Sequence, residues 1–364
     1  MLIPFVYHPD KSIRVYEESK EFLASSGLDR EMSELGWAYD AVGELIPQTS
    51  LNFWSGHIFP WGESWDEMQI SFNLCLFGFY KQAMVSLRSG LELGLLSVYW
   101  NLNDDGHETV QEWLRSEEDT PRMREIWEKL IRHRNFQMFE KGYDLRSRVL
   151  ALGYLHNYVH TKGHRFSNQL GLLYKSNFQF SNQLGLSYKS NFQTFEEKAF
   201  TRWLEAFREV IAVLAICHLV KYPLGTIRFD YDVKFGIDTP TFGGLPKFKV
   251  DRLETLIGSA VFGRISEIAG RDPSVKRLVA QISSMPDITA EEVEKQRLEW
   301  DKIFIQGGGL QSWIAMQRAF LEDELDKRRA EAYIEQMTAW AREHGYDREQ
   351  GPSEEDIPPL PGAG

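Results

Sequence analysis

Cysteine is scarce in this chain: only Cys75 and Cys217 occur in 364 residues, and both fall inside apolar runs. A disulfide framework is thereby excluded, and two buried free thiols in a reducing compartment are expected. Long uninterrupted apolar stretches are also missing. Residues 70–100 are broken by Lys81, Arg88 and Glu92, while Val210 to Val220 is short and carries His218, so both read as core helices rather than membrane spans. No basic region followed by a long apolar segment opens the chain, so no signal peptide is expected and the cytoplasm is the default location. Positive charge is in deficit, with 41 Lys and Arg against 53 Asp and Glu and a net charge of -12. Broad, sequence-blind binding of DNA or RNA needs a basic surface and is excluded; only a local patch can meet phosphate. Neither Ser nor Cys sits in a nucleophile elbow, no GxGxxG follows a strand, and no HExxH or clustered cysteines mark a metal site. Gly307-Gly308-Gly309 lacks both the preceding strand and the following Lys-Ser/Thr of a phosphate loop. No cofactor is expected.

What is present is a helical pattern with ample apolar material, 43% hydrophobic and 13% aromatic, enough to pack an interior. After an extended start at 1–12, helices are predicted over about 13–25 and 30–46, the second closed by Pro47. Residues 48–63 form an aromatic-rich connection. Ser64-Trp65-Asp66-Glu67 reads as a capping box opening a helix that ends near Gly78, and a second helix over 80–101 is expected to return as its hairpin partner. Thr120-Pro121 and Asp144 mark further starts, and Leu145, Val149, Leu152 and Val159 recur with helical spacing. Thr194 to Glu197 reads as another capping box, and its long helix ends at Pro223.

Residues 166–193 are two nearly identical fourteen-residue copies that differ only at Leu173 and Ser187. A position that absorbs such a duplication is expected to be an exposed connection. The strict alternation from Thr226 to Phe235 is the strongest strand signal, and with the turn-rich Gly236 to Pro246 it predicts a short β-hairpin or extended arm. Helices restart at Asp251, Asp272-Pro273 and Thr289 to Glu292, and a long last one is predicted near 311–344, before an acidic, proline-rich tail expected to be disordered.

The candidate chemistry lies in two segments. Arg88 and Glu92 share one face of a helix that is otherwise apolar. A charge there needs a partner, so the pair either fixes helix packing or lets Arg88 receive an anion such as a phosphate or carboxylate while Glu92 orients it. His156, His160 and His164 follow at four-residue steps, a drift of roughly 40° per step on a helix, so neighbouring pairs share a face. Such a pair ligates zinc only with a third ligand from elsewhere, and Lys162 and Arg165 oppose a cation. An imidazole there can instead work in acid–base chemistry or face a phosphate, or serve simply as a helix-end histidine. The residues selected for chemistry are therefore His160, Asn157, Arg88 and Glu92, and for ligand binding Arg88, His156 and Lys162; no metal is assigned. Asp230 and Asp232 read as the polar face of the predicted strand, and Arg132-His133-Arg134 as a solvated helix end.

The run Gly78-x-Tyr80-x-x-Ala83-x-x-x-Leu87-Arg88-x-x-Leu91-Glu92, followed by Tyr154-Leu155-x-Asn157-Tyr158-Val159-His160, resembles the HEPN-like helical domains of bacterial stress, toxin–antitoxin and phage-defence proteins over about 64–222. That resemblance implies a helical bundle that dimerises and, in many members, a metal-independent ribonuclease built on Arg-x4–6-His. Here residues 149–155 hold no Arg, and seven residues intervene between Arg148 and His156, so His160 would need Arg88 or Arg148 from outside the motif.

These readings together give a mainly α protein: N-terminal helices and connection (1–63), HEPN-like bundle (64–222), β-arm (223–250), helical extension (251–345) and tail (346–364). The expected function is a non-catalytic or weakly catalytic binding component in bacterial stress or defence. The alternatives are an endoribonuclease using His160 with Arg88 or Arg148, and an oligomerisation module. RNA or a nucleotide, and a second copy or protein partner, are the expected partners; a membrane is not.

Overall fold

The structure, a computed structural model, describes residues 9–47, 58–102, 107–160, 162, 166, 193–229, 231–236, 244–319 and 324–347. The described residues are overwhelmingly helical, as the periodicity predicts, and none of their helices is long and apolar enough to cross a membrane. They fall into two units. The larger runs to Tyr231 and takes in residues up to Ser284; the smaller holds 232–236 and the described residues from Met285 onward.

The frame of the larger unit is a hairpin of α3 (Phe59–Leu76) and α4 (Tyr80–Trp100). Gly78 makes the turn with φ +75°, and a Cβ there would stand 2.6 Å from the Thr194 backbone, so the position needs both the conformation and the absence of a side chain. Ser64 lies inside α3, which begins at Phe59, and so it caps nothing. Its hydroxyl donates to Gly90 O at 2.6 Å and meets the Tyr39 hydroxyl at 2.5 Å, tying the hairpin to α2 (Leu28–Glu44), which follows α1 (Pro9–Ser25). A hydroxyl that finds a carbonyl across the hairpin has no need of a helix end, and this is why the sequence pattern misled.

Across the hairpin lies the long helix running Glu197–Lys221, every residue of which from Val210 to Val220 is buried. A helix apolar all round belongs in a core. It starts at Glu197 with Glu196, not Thr194, at its cap, and stops before Pro223 as predicted. Gly94 lets it close on α4, since a Cβ there would approach Leu214 to 2.7 Å. The buried Trp203 indole donates to Ser71 Oγ at 2.9 Å, and Ser71 donates to Ala83 O at 2.7 Å, so three helices share one satisfied polar chain. Cys75 and Cys217 are free and buried, and burial pushes both thiols up, Cys217 to about 12.

Between the hairpin and this long helix come α5 (His107–Leu114), α6 (Met123–Leu130), α7 (Arg134–Glu140), α8 (Leu145–Ala151), a 3-10 turn (Leu152–Leu155) and α9 (His156–Val159), making the long helix α10. Asp144 caps α8, accepting the Ser147 amide at 2.9 Å. Leu145, Val149 and Leu152 are buried as predicted, while Val159 is exposed.

Among the described residues the predicted β-arm is not seen. Among the described residues, 226–235 make one isolated bridge, Phe229 with Pro246, and Tyr231–Phe235 coils into the short helix α11. An extended segment without a neighbouring strand leaves its amides and carbonyls unpaired, and a helical turn satisfies some of them locally. Val233, assigned to the buried side by the alternation, is exposed. Helix α12 (Lys247–Ile257) starts after Pro246 and before Asp251, followed by α13 (Ser259–Ala269) and α14 (Pro273–Ser284). Asp272 caps α14 through the Ser274 amide at 2.8 Å.

The smaller unit contains α15 (Ala290–Phe304), α16 (Leu310–Ala319) and α17 (Glu324–Glu343), in place of one long helix over 311–344. Thr289 and Glu292 form the expected capping box, with the Thr289 amide 2.8 Å from Glu292 Oε2. The three glycines belong to a π-helical turn, Ile305–Gly309, that joins α15 to α16. Ile305, Trp313, Ile334, Met337 and Ala341 make a separate small core, in which Asp301 accepts from Trp313 Nε1 and the Tyr333 hydroxyl, each at 2.7 Å. Most of the aromatic connection, nearly all of the tandem copies, His164, Asp230 and the acidic tail lie outside the described residues.

Candidate functional site

Arg88 and Glu92 stand on successive turns of α4, and Arg88 Nη2 donates to Glu92 Oε1 at 2.6 Å. Both are half-buried and line a cleft of about 570 Å3 that also receives His156. Apolar side chains of α4, α6, α8 and the 3-10 turn make most of the wall, and the extended Thr120 to Arg122 forms one rim. Two of the sequence-selected segments, far apart in the chain, thus converge.

The convergence has a local cause. The segment after α8 is not one regular helix: the turn Leu152–Leu155 is 3-10, which advances about 120° per residue and so rotates the faces presented by α9. Buried Leu152 and Leu155 hold this turn against the core while His156, at the start of α9, lines the cleft. His160 follows at the end of α9, its ring centroid 4.3 Å from that of His156, so the four-residue spacing does put the two imidazoles on one face. Both imidazoles are exposed, and of the two only His156 belongs to the cleft wall. Asn157 is half-buried and its carbonyl accepts the Lys162 amide at 3.1 Å. Lys162 is exposed.

The electrostatics are those of a net basic corner in which Glu92 is partly desolvated while His156 and Arg122 are exposed. Desolvation raises the Glu92 carboxyl above its ordinary range, against the opposing pull of Arg88. The His156 imidazole is held below its ordinary value by desolvation first, then by Arg88, His160 and Lys162. Arg148, the other guanidinium considered for this chemistry, is engaged elsewhere. It binds Glu209 through Nε and, at 2.7 Å, through Nη2, and donates from Nη1 to the Tyr143 hydroxyl. That fork ties α8 to α10, and the hydrogen bonds to Glu209 push the guanidinium pKa up.

Arg122, Leu150 and Gly153 line the cleft without having been selected from sequence. The start predicted at Thr120-Pro121 falls short of the helix, which begins at Met123 with Arg122 at its cap, and nothing in the order of residues indicated that this segment would lie across from Arg88. A larger cavity of about 730 Å3 holds Asp40 and Glu44, both paired with the single ammonium of Lys249, so it keeps a net negative charge and does not suit an anion. Among the described residues no three His, Cys, Asp or Glu side chains gather as metal ligands. No protein-family model, no curated protein and no solved structure matches this chain.

Proposed function

We propose that this chain is a binding component, HEPN-like in its middle third, and that the cleft beside Arg88 receives an anionic group such as a carboxylate or phosphate. One observation carries the reading: Arg88 spends a single donor on Glu92 while lining a cleft together with His156. A guanidinium has five donors, and a second acceptor from a ligand completes what one carboxylate oxygen begins. Glu92 then orients the fork, and His156 adds a positive charge once protonated. The role in bacterial stress or phage defence rests on the resemblance of 78–92 and 154–160.

The ribonuclease reading keeps one observation in its favour, the close, tilted pair of imidazoles at His156 and His160. Calorimetric titration of the full chain with inorganic phosphate, acetate, AMP and decanoate at low salt separates the two. Saturable binding of at least one, weakened tenfold or more by Arg88→Met, is expected; no binding by any, or binding indifferent to that change, overturns the proposal. Cleavage of single-stranded RNA in EDTA that disappears with His160→Ala would move the assignment to the nuclease.

A further inference from the structure

The cleft wall narrows the class of ligand. Leu91, Leu96, Met123, Ile126, Val149 and Leu152 surround the space, and among the described residues no Phe, Tyr or Trp lines it. Proteins that hold nucleotides or single-stranded RNA stack the bases on aromatic or guanidinium planes and read their edges with several polar groups. Here, among the described residues, the imidazole of His156 is the one aromatic plane in the wall, the guanidinium groups of Arg88 and Arg122 are the other planar groups, and the aliphatic residues present no hydrogen-bonding edge. Aliphatic walls favour an aliphatic body, because each buried methylene is worth about 0.8 kcal/mol. The polar groups, Arg88, Arg122 and His156, match an acidic head, and a volume of about 570 Å3 lies in the range of small-molecule sites.

Resting on the reading of the cleft as an anion site, we infer that its ligand is an amphipathic monoanion: an aliphatic chain carrying one carboxylate, with the head at Arg88 and His156 and the chain along the α4, α6 and α8 wall. Glu92 has a specific part in this arrangement. By occupying one edge of the guanidinium it leaves capacity for one carboxylate and disfavours the doubly charged phosphate of a nucleotide, which would lie close to its own oxygens. Selection is then by charge count and by chain, not by base.

Gly153 supplies the test. It lines the cleft, has no positive φ, and a Cβ placed on it meets nothing within 4 Å, so a large side chain can enter the open space without displacing the core. The full chain is titrated by calorimetry with decanoate below its micellar concentration, 1-decanol, AMP and inorganic phosphate, and decanoate is repeated with Gly153→Trp and Arg88→Met. Thermal unfolding of each variant is followed alongside, with Leu150→Ala, a milder change in the exposed wall, as the replacement if Gly153→Trp does not fold. We expect decanoate to bind at least tenfold more tightly than decanol or AMP, and to lose tenfold or more with either Gly153→Trp or Arg88→Met; Leu150→Ala should weaken it by threefold or more. AMP or phosphate binding as tightly as decanoate through Arg88 overturns the ligand class and leaves the anion site standing. Decanol equal to decanoate, or decanoate binding unmoved by the cleft variants, overturns the class as well. No saturable binding of any of the four sinks both.

Discussion

Two arginine–glutamate pairs of this protein invite comparison, because they share chemistry and half-burial and differ in everything else. Arg148 and Glu209 come from helices 61 residues apart, meet through two guanidinium nitrogens, and are closed by the Tyr143 hydroxyl. Arg88 and Glu92 come from one helix, meet through one nitrogen, and face a cleft. The first pair engages all three guanidinium nitrogens and joins α8 to α10, so its value is architectural. The second is left with unused donors where a ligand can reach them. The lesson is that residue type and burial do not distinguish a structural charge from a functional one; the count of satisfied donors and the space in front of them do.

The largest effect expected on the architectural side is a pH effect in α10, the helix that carries Glu209. His218 is fully buried there, its Nδ1 bonded to Leu214 O at 2.8 Å and its Nε2 without a protein partner. Desolvation lowers its pKa from 6.5 to about 4, so on acidification the unfolded chain takes up the proton first. Stability is therefore fully present above pH 6.5 and falls as the pH drops toward 4, by roughly 3 kcal/mol in all, because one proton taken up by the unfolded chain alone costs about 1.4 kcal/mol for each pH step of one. Urea midpoints across that window measure it, and His218→Leu should flatten the slope it contributes; a slope unchanged by that replacement would assign the acid sensitivity elsewhere.

Next in size is the pair that bridges α8 and α10. Arg148→Met strips Glu209 and Tyr143 of their partner and should cost about 2 kcal/mol, the range of charged hydrogen bonds discounted for partial exposure, read as a lower urea midpoint at constant slope. Arg88→Met should cost less than about 1 kcal/mol. Glu92, already raised by desolvation, can take a proton instead of remaining charged and alone. Equal losses for the two variants would erase the distinction drawn between the pairs. The smallest effect concerns the cleft alone: anion affinity should rise severalfold as the pH falls through the titration of His156, which desolvation and its cationic neighbours hold below its ordinary value, and His156→Gln should remove that rise. A pH-independent affinity in the unaltered protein would remove His156 from the site.

Much of this contrast was legible in the sequence, for physical reasons that differ by residue. The hairpin of α3 and α4, the end of α10 before Pro223, and the caps at Asp144 and Thr289 are dictated by neighbours within a few positions, which sequence displays directly. The spacing of Arg88 and Glu92 and of His156 and His160 likewise fixes each pair on one helix face. What failed depended on distant partners. Ser64 looks like a cap until Gly90 O is opposite it, and Thr226 to Phe235 alternates like a strand but, among the described residues, makes only the single bridge of Phe229 with Pro246. His160 and His156 are indistinguishable by pattern, and the 3-10 turn before them decides which one reaches the cleft. Arg122 carries no local signal, since its role follows only from where α6 begins in space.

The most direct test is a double dissociation between the two arginines. Decanoate affinity and urea stability are measured on the same preparations of the full chain with Arg88→Met and with Arg148→Met. The account predicts that Arg88→Met loses at least tenfold in affinity at nearly unchanged stability, while Arg148→Met, under conditions where it remains folded, keeps its affinity and loses stability. If Arg148→Met abolishes binding in a folded protein while Arg88→Met binds normally, the assignment of scaffold and site is reversed.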